Sequence, residues 1–286
     1  MSLGFEARVL ADSTPGSFRG GRLITVEMTY PRFVHAEHLR HRMFSFNVAS
    51  SRAIPVEKII EQVEGSPVVP IHWGQKQRGM QAFQEVGPEE AAESKELVLK
   101  LRDEAVRTAR RMLEIGLHKQ VINRYLEPWM WCTVICTGNI KAWQHFWSLR
   151  CHPDAEPHIR EIAETTKFVI NHSHSEILED DGLHLPLVRE EDLKEFKDDP
   201  TSLCMISAGR CARVSYLTHE GVRDPKVDIE LASKLIINRH FSPFEHQAKY
   251  EFWNVQSDRG NLGYPWGQFR KSLQGEYGEH SQHQRD

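Results

Sequence analysis

The sequence lacks any long apolar run, an excess of positive charge, paired cysteine motifs and a glycine-rich phosphate loop. Each absence removes a class of function. Without an unbroken apolar stretch no membrane-spanning helix is expected, and the N-terminal "MSLGFEARVLADS" carries Glu6 and Asp12 where a secretory signal would have an apolar core. A cytoplasmic location is the expectation. The formal net charge of −4 argues against a general nucleic-acid binder, which needs a basic excess to displace counterions. Cys132, Cys136, Cys151, Cys204 and Cys211 are odd in number and form no CxxC pair, so reduced packing thiols are expected. No GxGxxG, P-loop, internal repeat or low-complexity tract occurs.

What remains is a chain of 286 residues, 40% hydrophobic and 27% charged, long enough to bury a substantial core. Leu23 to Tyr30 alternates Ile24, Val26, Met28 and Tyr30 with polar residues, the period of a half-buried strand that Pro31 should end. The next residues lack Gly and Pro and predict a short helix presenting Arg40 and Arg42. Residues 53–87, with Pro55, Pro67 and Pro70, read as irregular. Pro88 to Leu117 predicts a long helix, starting where Pro is tolerated and stopping near Gly116. A helical pattern runs up to Arg150, and Asp154 is a candidate N-cap for a helix burying Ile159, Ile162, Ala163, Val169 and Ile170. Residues 177–203 are acidic and loop-like, a candidate linker between two lobes. A helix from about Asp228 to Asn238 follows, then alternation around Tyr250 and Phe252 that suggests a strand. The fold class is α+β with helices outnumbering strands.

The chemistry concentrates in "LRHRMFSFNVASSRAIP". Arg40 and Arg42 offer planar forks of donors suited to phosphate oxygens, and Ser50, Ser51 and Arg52 could complete an anion cradle. The alternative is a solvated charged face. Flanking Phe44, Phe46 and Val48 place the motif against a core, where arginines need anionic partners. Arg124 and Arg150 also sit among large apolar residues, as structural ion pairs or ligand anchors. Trp129, Trp131, Trp143 and Trp147 could stack on a planar ring or fill the core. His35, His38 and His41 recur every third residue, but their direction drifts around a helix and Arg40 and Arg42 would repel a cation, so no metal is expected. Cys151 beside Arg150 could be a nucleophile, though no general base adjoins it.

"RHRMFSFNVAS" resembles the RHR-x7-S signature of the flavin-dependent thymidylate synthases, met by Arg40, His41, Arg42 and Ser50. Four further segments are similar to that family: "NRYLEP", "NIKAWQHFWSLR", "SLCMISAGRCARVSY" and "HFSPFEH". The last two precede the RHR motif in the usual member and follow it here. The resemblance therefore implies a circularly permuted arrangement, similar to that of some phage members, of an α+β fold with a mixed or antiparallel sheet and long helices. It spans most of residues 22–52, 119–172 and 202–252 within one catalytic domain, leaving the loop 56–87 and the tail from Asn254 uncovered.

The resemblance implies roles position by position. Arg40, His41 and Arg42 would contact FAD, together with Asn139, Lys141, His145, His240 and Ser242. Glu37, Arg40, Val48, Ser50, Ser51, Arg52 and Arg124 would hold a pyrimidine nucleotide, and Arg150 would sit on the base as the catalytic residue. The implied reaction is C5-methylation of dUMP to dTMP with methylenetetrahydrofolate and NADPH, in a homotetramer with shared active sites. The sequence departs from the family pattern at Val48 (usually Glu), Glu37 (usually Gln), Lys141 (usually Arg) and His145 (usually Asn). A carboxylate at Glu37 would repel an anionic substrate or read a different base edge, which opens UMP or dCMP as alternative substrates. A flavin- or nucleotide-binding protein without catalysis is the third reading.

Overall fold

The computed structural model describes residues 4–16, 21–216, 218, 221, 224–251, 260–273 and 276. At its centre lies a five-stranded sheet built from β1 (Glu6–Pro15), β2 (Leu23–Pro31), β3 (Ser45–Val48), β4 (Trp131–Asn139) and β5 (Glu176–Leu178), in the order β3-β4-β2-β1-β5. All neighbours are antiparallel except β1 and β5. A second, three-stranded antiparallel sheet joins β6 (Leu183–His184), β7 (Ala248–Tyr250) and β8 (Trp266–Gln268).

The alternation that predicts β2 is real, yet the strand is buried on both faces rather than half-buried. Its apolar face, Ile24, Val26, Met28 and Tyr30, meets Cys132, Val134 and Cys136 of β4. That surface is covered by α5 (Ile140–Arg150) and α6 (Pro157–Asn171), through Trp143, Phe146, Ile159, Ile162 and Ala163. Val169 packs on this cluster partly buried, and the tryptophans 143 and 147 are core residues. The polar face, with Thr25 and Thr29, is covered because the later part of the chain folds back over it. There Ile135 of β4 packs with Leu187, Cys211 and Val214. Fully burying one such aliphatic side chain contributes roughly 1.5–3 kcal/mol.

Residues 53–87 are not wholly irregular: α2 (Val56–Gly65) buries Val56, Ile59, Ile60 and Val63 against Val106, Ala109, Ile122 and Leu126. The i, i+3, i+4, i+7 spacing of those four residues is a helix signal, and three flanking prolines mask it. Val106 and Ala109 belong to α3 (Pro88–Glu114), which starts at Pro88 as expected and stops three residues before Leu117. Gly116 takes φ +84 beyond its end, where Leu117 N–H bonds back to Met112 O at 3.0 Å, a Schellman-like stop. Ile122 closes the short α4 (Lys119–Ile122).

Residues 177–203 are woven into the structure rather than strung between lobes. They contain β5's end, β6, and α7 (Glu190–Glu195), and run into α8 (Pro200–Ala212). α8 packs on α9 (Pro225–Ile237), which corresponds to the helix expected at Asp228 to Asn238. The strand expected around Tyr250 is β7, while Phe252 lies outside the described residues. Among the described residues no helix is long and apolar enough to cross a membrane.

Candidate functional site

The RHR segment begins where β2 ends. A 3-10 turn at Arg32–Val34 leads into the four-residue α1 (His35–His38), which Tyr30 anchors from β2: its hydroxyl lies 2.8 Å from His35 Nδ1 and 2.9 Å from His38 Nδ1. The helix does not extend to Arg40 and Arg42, as the sequence had suggested. It ends at His38, and a turn closed by His41 N–H to His38 O and Phe44 N–H to His41 O sends Arg40 and Arg42 outward and His41 inward. Phe44 buries itself on Trp143, with ring centroids 4.6 Å apart, and so ties the turn to α5.

Helix α5 starts at Asn139, whose side-chain oxygen accepts from Ala142 N–H at 2.9 Å as an N-cap, while its amide donates to Leu262 O at 2.7 Å. Arg150 is the last residue of α5. Its Nε donates to His41 Nε2 at 3.0 Å, one terminal nitrogen to Glu37 Oε2 at 3.1 Å, and the other approaches Glu37 O at 3.5 Å. A cavity of about 680 Å³ opens at this junction, lined by Arg40, His41, Arg42, His145 and Arg150 with Met43, Phe44 and Leu149 as its apolar part. Burial pushes His41 down to about 4, helped by the nearby charges of Arg150, His145 and Arg40, so its imidazole is neutral at neutral pH.

His152 and Asp154 also line the cavity, though the sequence did not mark them as site residues. Asp154, the N-cap candidate in the sequence, does not cap α6. That role belongs to Glu156, whose carboxylate accepts from His158 N–H at 2.9 Å and Ile159 N–H at 3.0 Å. Pro157, at the first helical position, is the signal that would have placed the cap one residue before it.

The expected phosphate cradle lies at the other end of β3, about 13 Å away at 3.3 Å per residue over four residues. Val48 is half-buried and pairs with Val134. Ser50 N–H bonds to Ser215 O at 3.1 Å, and the Ser51 hydroxyl donates to Glu127 Oε1 at 2.6 Å. Asn123 holds the turn by donating to Ser51 O at 2.6 Å and Ile54 O at 3.0 Å. Arg52 and Arg124 are exposed beside it. Glu37 does not line the cavity but stands behind Arg150. Lys141 is exposed in the first turn of α5; His240 and Ser242 are exposed after α9, with the Ser242 hydroxyl donating to Asn47 Oδ1 at 3.2 Å. The site residues thus do not share one place: Arg40, His41, Arg42, His145 and Arg150 meet at the cavity with Glu37 behind Arg150, while the Ser50–Arg52 turn, the start of α5 with Asn139 and Lys141, and the Asn47 flank with Ser242 lie apart from it. Among the described residues no group of three or more His, Cys, Asp or Glu is placed to hold a metal ion.

The family model described as "Thymidylate synthase complementing protein" matches residues 21–173, more than half of the chain. The chain belongs to this family. The matched span contains the whole cavity wall and the Ser50–Arg52 turn, and leaves His240 and Ser242 outside it. Among solved structures, the chain is similar to a UMP/dUMP methylase PolB from Streptomyces cacaoi bound with 5-Br UMP, at 19% identity over 60% of this chain and 90% of that one, with a TM-score of 0.49. The same methylase bound with 5-Br dUMP gives 16% identity over 60% and 92%, also at 0.49. No curated protein matches the chain.

Proposed function

We propose that the protein is a flavin-dependent enzyme that methylates C5 of a pyrimidine nucleotide, with dUMP as substrate. The observation that carries this reading is the convergence, in a member of this family, of Arg40, His41, Arg42, His145 and Arg150 on one cavity, although up to 110 residues separate them. The cavity's donors and apolar wall suit a phosphorylated, planar cofactor such as FAD: guanidinium groups for phosphate oxygens, and Phe44, Met43 and Leu149 beside a ring. When bound, reduced flavin and methylenetetrahydrofolate would supply the hydride and the one-carbon unit, with NADPH as the reductant.

The chain's own residues bind and orient. Arg40 and Arg42, exposed at the mouth, attract the anionic ligands. Arg150, four-fifths buried, presents its guanidinium where negative charge develops on the pyrimidine. The Ser50–Arg52 turn with Arg124 holds the nucleotide phosphate. The resemblance to the family implies a homotetramer with shared active sites, and a turn that lies away from the cavity suits an arrangement in which one subunit's turn completes another's cavity.

A tritium-release assay with C5-labelled dUMP, UMP and dCMP tests both the reaction and the substrate. Release from dUMP is expected, and Arg150→Ala should cut turnover about 100- to 1000-fold, as loss of a charge-stabilising donor does, while the yellow of bound flavin remains. Release from none of the three nucleotides, or an active Arg150→Ala variant, would overturn the reading.

A further inference from the structure

The three histidines at every third position remain to be explained, since two of them face Tyr30 and the third faces an arginine. We propose that Glu37 and His41 are positioning residues that clasp Arg150 from two sides, and that His41 does so as the neutral tautomer with its proton on Nδ1. The proposal rests on reading Arg150 as the group that meets the substrate, and adds what holds it there.

An arginine Nε can only donate, so at 3.0 Å His41 Nε2 must accept, and the single proton of a neutral ring must then sit on Nδ1. An imidazolium would bring two donors face to face. The surroundings oppose one as well: Arg150 and His145 press from α5 and Arg40 from the same turn, the ring of His38, from α1, lies beside it, and the charge of Glu37 is engaged by Arg150. Burial and these neighbours hold His41 down at about 4. On the opposite side Glu37 takes a terminal nitrogen of Arg150 at 3.1 Å, from a position outside the cavity lining. It reaches the cavity only through Arg150.

The clasp is rigid because α1 is rigid. Four residues make a weak helix, but Tyr30 pins both His35 and His38 from the central strand, and His38 is enclosed by Phe46 and Phe146, with ring centroids 4.9 and 5.1 Å away. Glu37 sits between the two pinned histidines and His41 follows them. The spacing that looks like a ligand set therefore builds a frame: His35 and His38 fix the backbone, and His41 fixes the guanidinium.

The test is nitrogen NMR of the full-length, ligand-free protein at neutral pH, with the Arg150 Nε–H signal assigned by its loss in Arg150→Lys and the His41 ring by its loss in His41→Gln. The expected results are a His41 ring protonated on Nδ1, and an Arg150 Nε–H that exchanges slowly, persists in His41→Gln, whose amide oxygen can replace Nε2, and vanishes in His41→Phe. In turnover, His41→Phe and Glu37→Ala should lower kcat about 10- to 100-fold with KM within about three-fold, the cost of a misplaced catalytic group. His41→Gln should keep a larger share of kcat than His41→Phe. A proton on Nε2, an Nε–H unchanged in His41→Phe, or equal losses in the Gln and Phe variants would overturn the clasp. Thermal melts identify a variant that has unfolded, in which case the tautomer of the unmutated protein decides. If the unmutated protein turns over no nucleotide, the proposed reaction fails while the NMR still decides the clasp.

Discussion

Arg210 shows how much of this molecule depends on single buried charges outside the site. It is fully buried on α8, with Nε donating to Asp228 Oδ2 at 2.8 Å and its terminal nitrogens to Asp192 at 2.5 and 3.0 Å and to Leu187 O at 2.8 Å. Asp228 accepts from Arg213 as well, at 2.8 Å. Burial alone would raise the Asp192 carboxyl, but the hydrogen bonds from Arg210 and from Arg189 N–H outweigh it and hold it below its usual value. Arg210→Ala would strip Asp192 of its guanidinium partner and leave Asp228 to Arg213 alone, and breaking a buried pair from one side costs about 3–5 kcal/mol. Urea unfolding should show a loss of that size, and a loss under 1 kcal/mol would mean that α7, α8 and α9 are held by apolar contacts alone. The segment "SAGRCARVSY" drew attention in the sequence, whereas the anchoring role of Arg210 did not, because its partners lie 18 residues away on either side. His41 was legible in the same partial way: its neighbour Arg150 is 109 residues distant, so the sequence could mark both but not join them.

At the scale of elements, local patterns were readable where one face decides the structure, and failed where a tertiary partner does. The strand at Leu23–Pro31 and the helices at Pro88–Glu114, Ile140–Arg150 and Pro225–Ile237 follow from periodicity and from prolines or cap residues at their starts. The sequence predicts a longer helix carrying the RHR motif than the one that forms, because nothing local ends it at His38. What ends it is Phe44 turning in to meet Trp143. That contact leans on Gly138, the residue before the α5 cap: a Cβ there would run into the Phe44 ring and sit 3.2 Å from Ala142 Cβ. Gly138→Ala should therefore overpack the junction of β4, α5 and the RHR turn, costing about 1–3 kcal/mol. It should also loosen the flavin binding proposed for the cavity, read in a fluorescence titration, since Phe44 belongs to the cavity wall. A variant with unchanged stability and flavin affinity would show that the turn is set by α1 alone.

For the whole molecule, the pieces following residue 173 add β5 to the edge of the central sheet and return to cover its polar face. The tail, which resembled nothing, contributes Trp266 to the core and lets Gln268 donate to Ser45 Oγ at 3.3 Å, contacts between distant parts that no local pattern announces. The two sheets are joined by a buried polar ladder: Ser13 Oγ to His184 Nδ1 at 2.9 Å, His184 Nε2 to Thr25 Oγ1 at 2.8 Å, Thr25 to Thr137 at 2.7 Å, and Thr137 to His246 Nδ1 at 2.8 Å. Burial pushes both histidines down to about 3, with Asp12 opposing this slightly at His184 and His184 adding to it at His246. In the unfolded chain each would titrate near about 6.5. Between those values the unfolded state binds more protons, so stability rises with pH: it is complete above the unfolded pKa and is lost as pH falls through this window. Each histidine contributes a slope approaching about 1.4 kcal/mol per pH unit there. His35 and His41, held down at about 4, add to it over a narrower range. Urea midpoints measured at pH 7.5, 6.5 and 5.5 should therefore fall toward acid, and the doubly substituted His184→Gln, His246→Gln protein should show a shallower dependence from a lower starting stability. A midpoint that does not move between pH 7.5 and 5.5 would mean that the ladder's histidines take up protons as readily in the folded protein as in the unfolded chain, which a sealed junction between the two sheets does not permit.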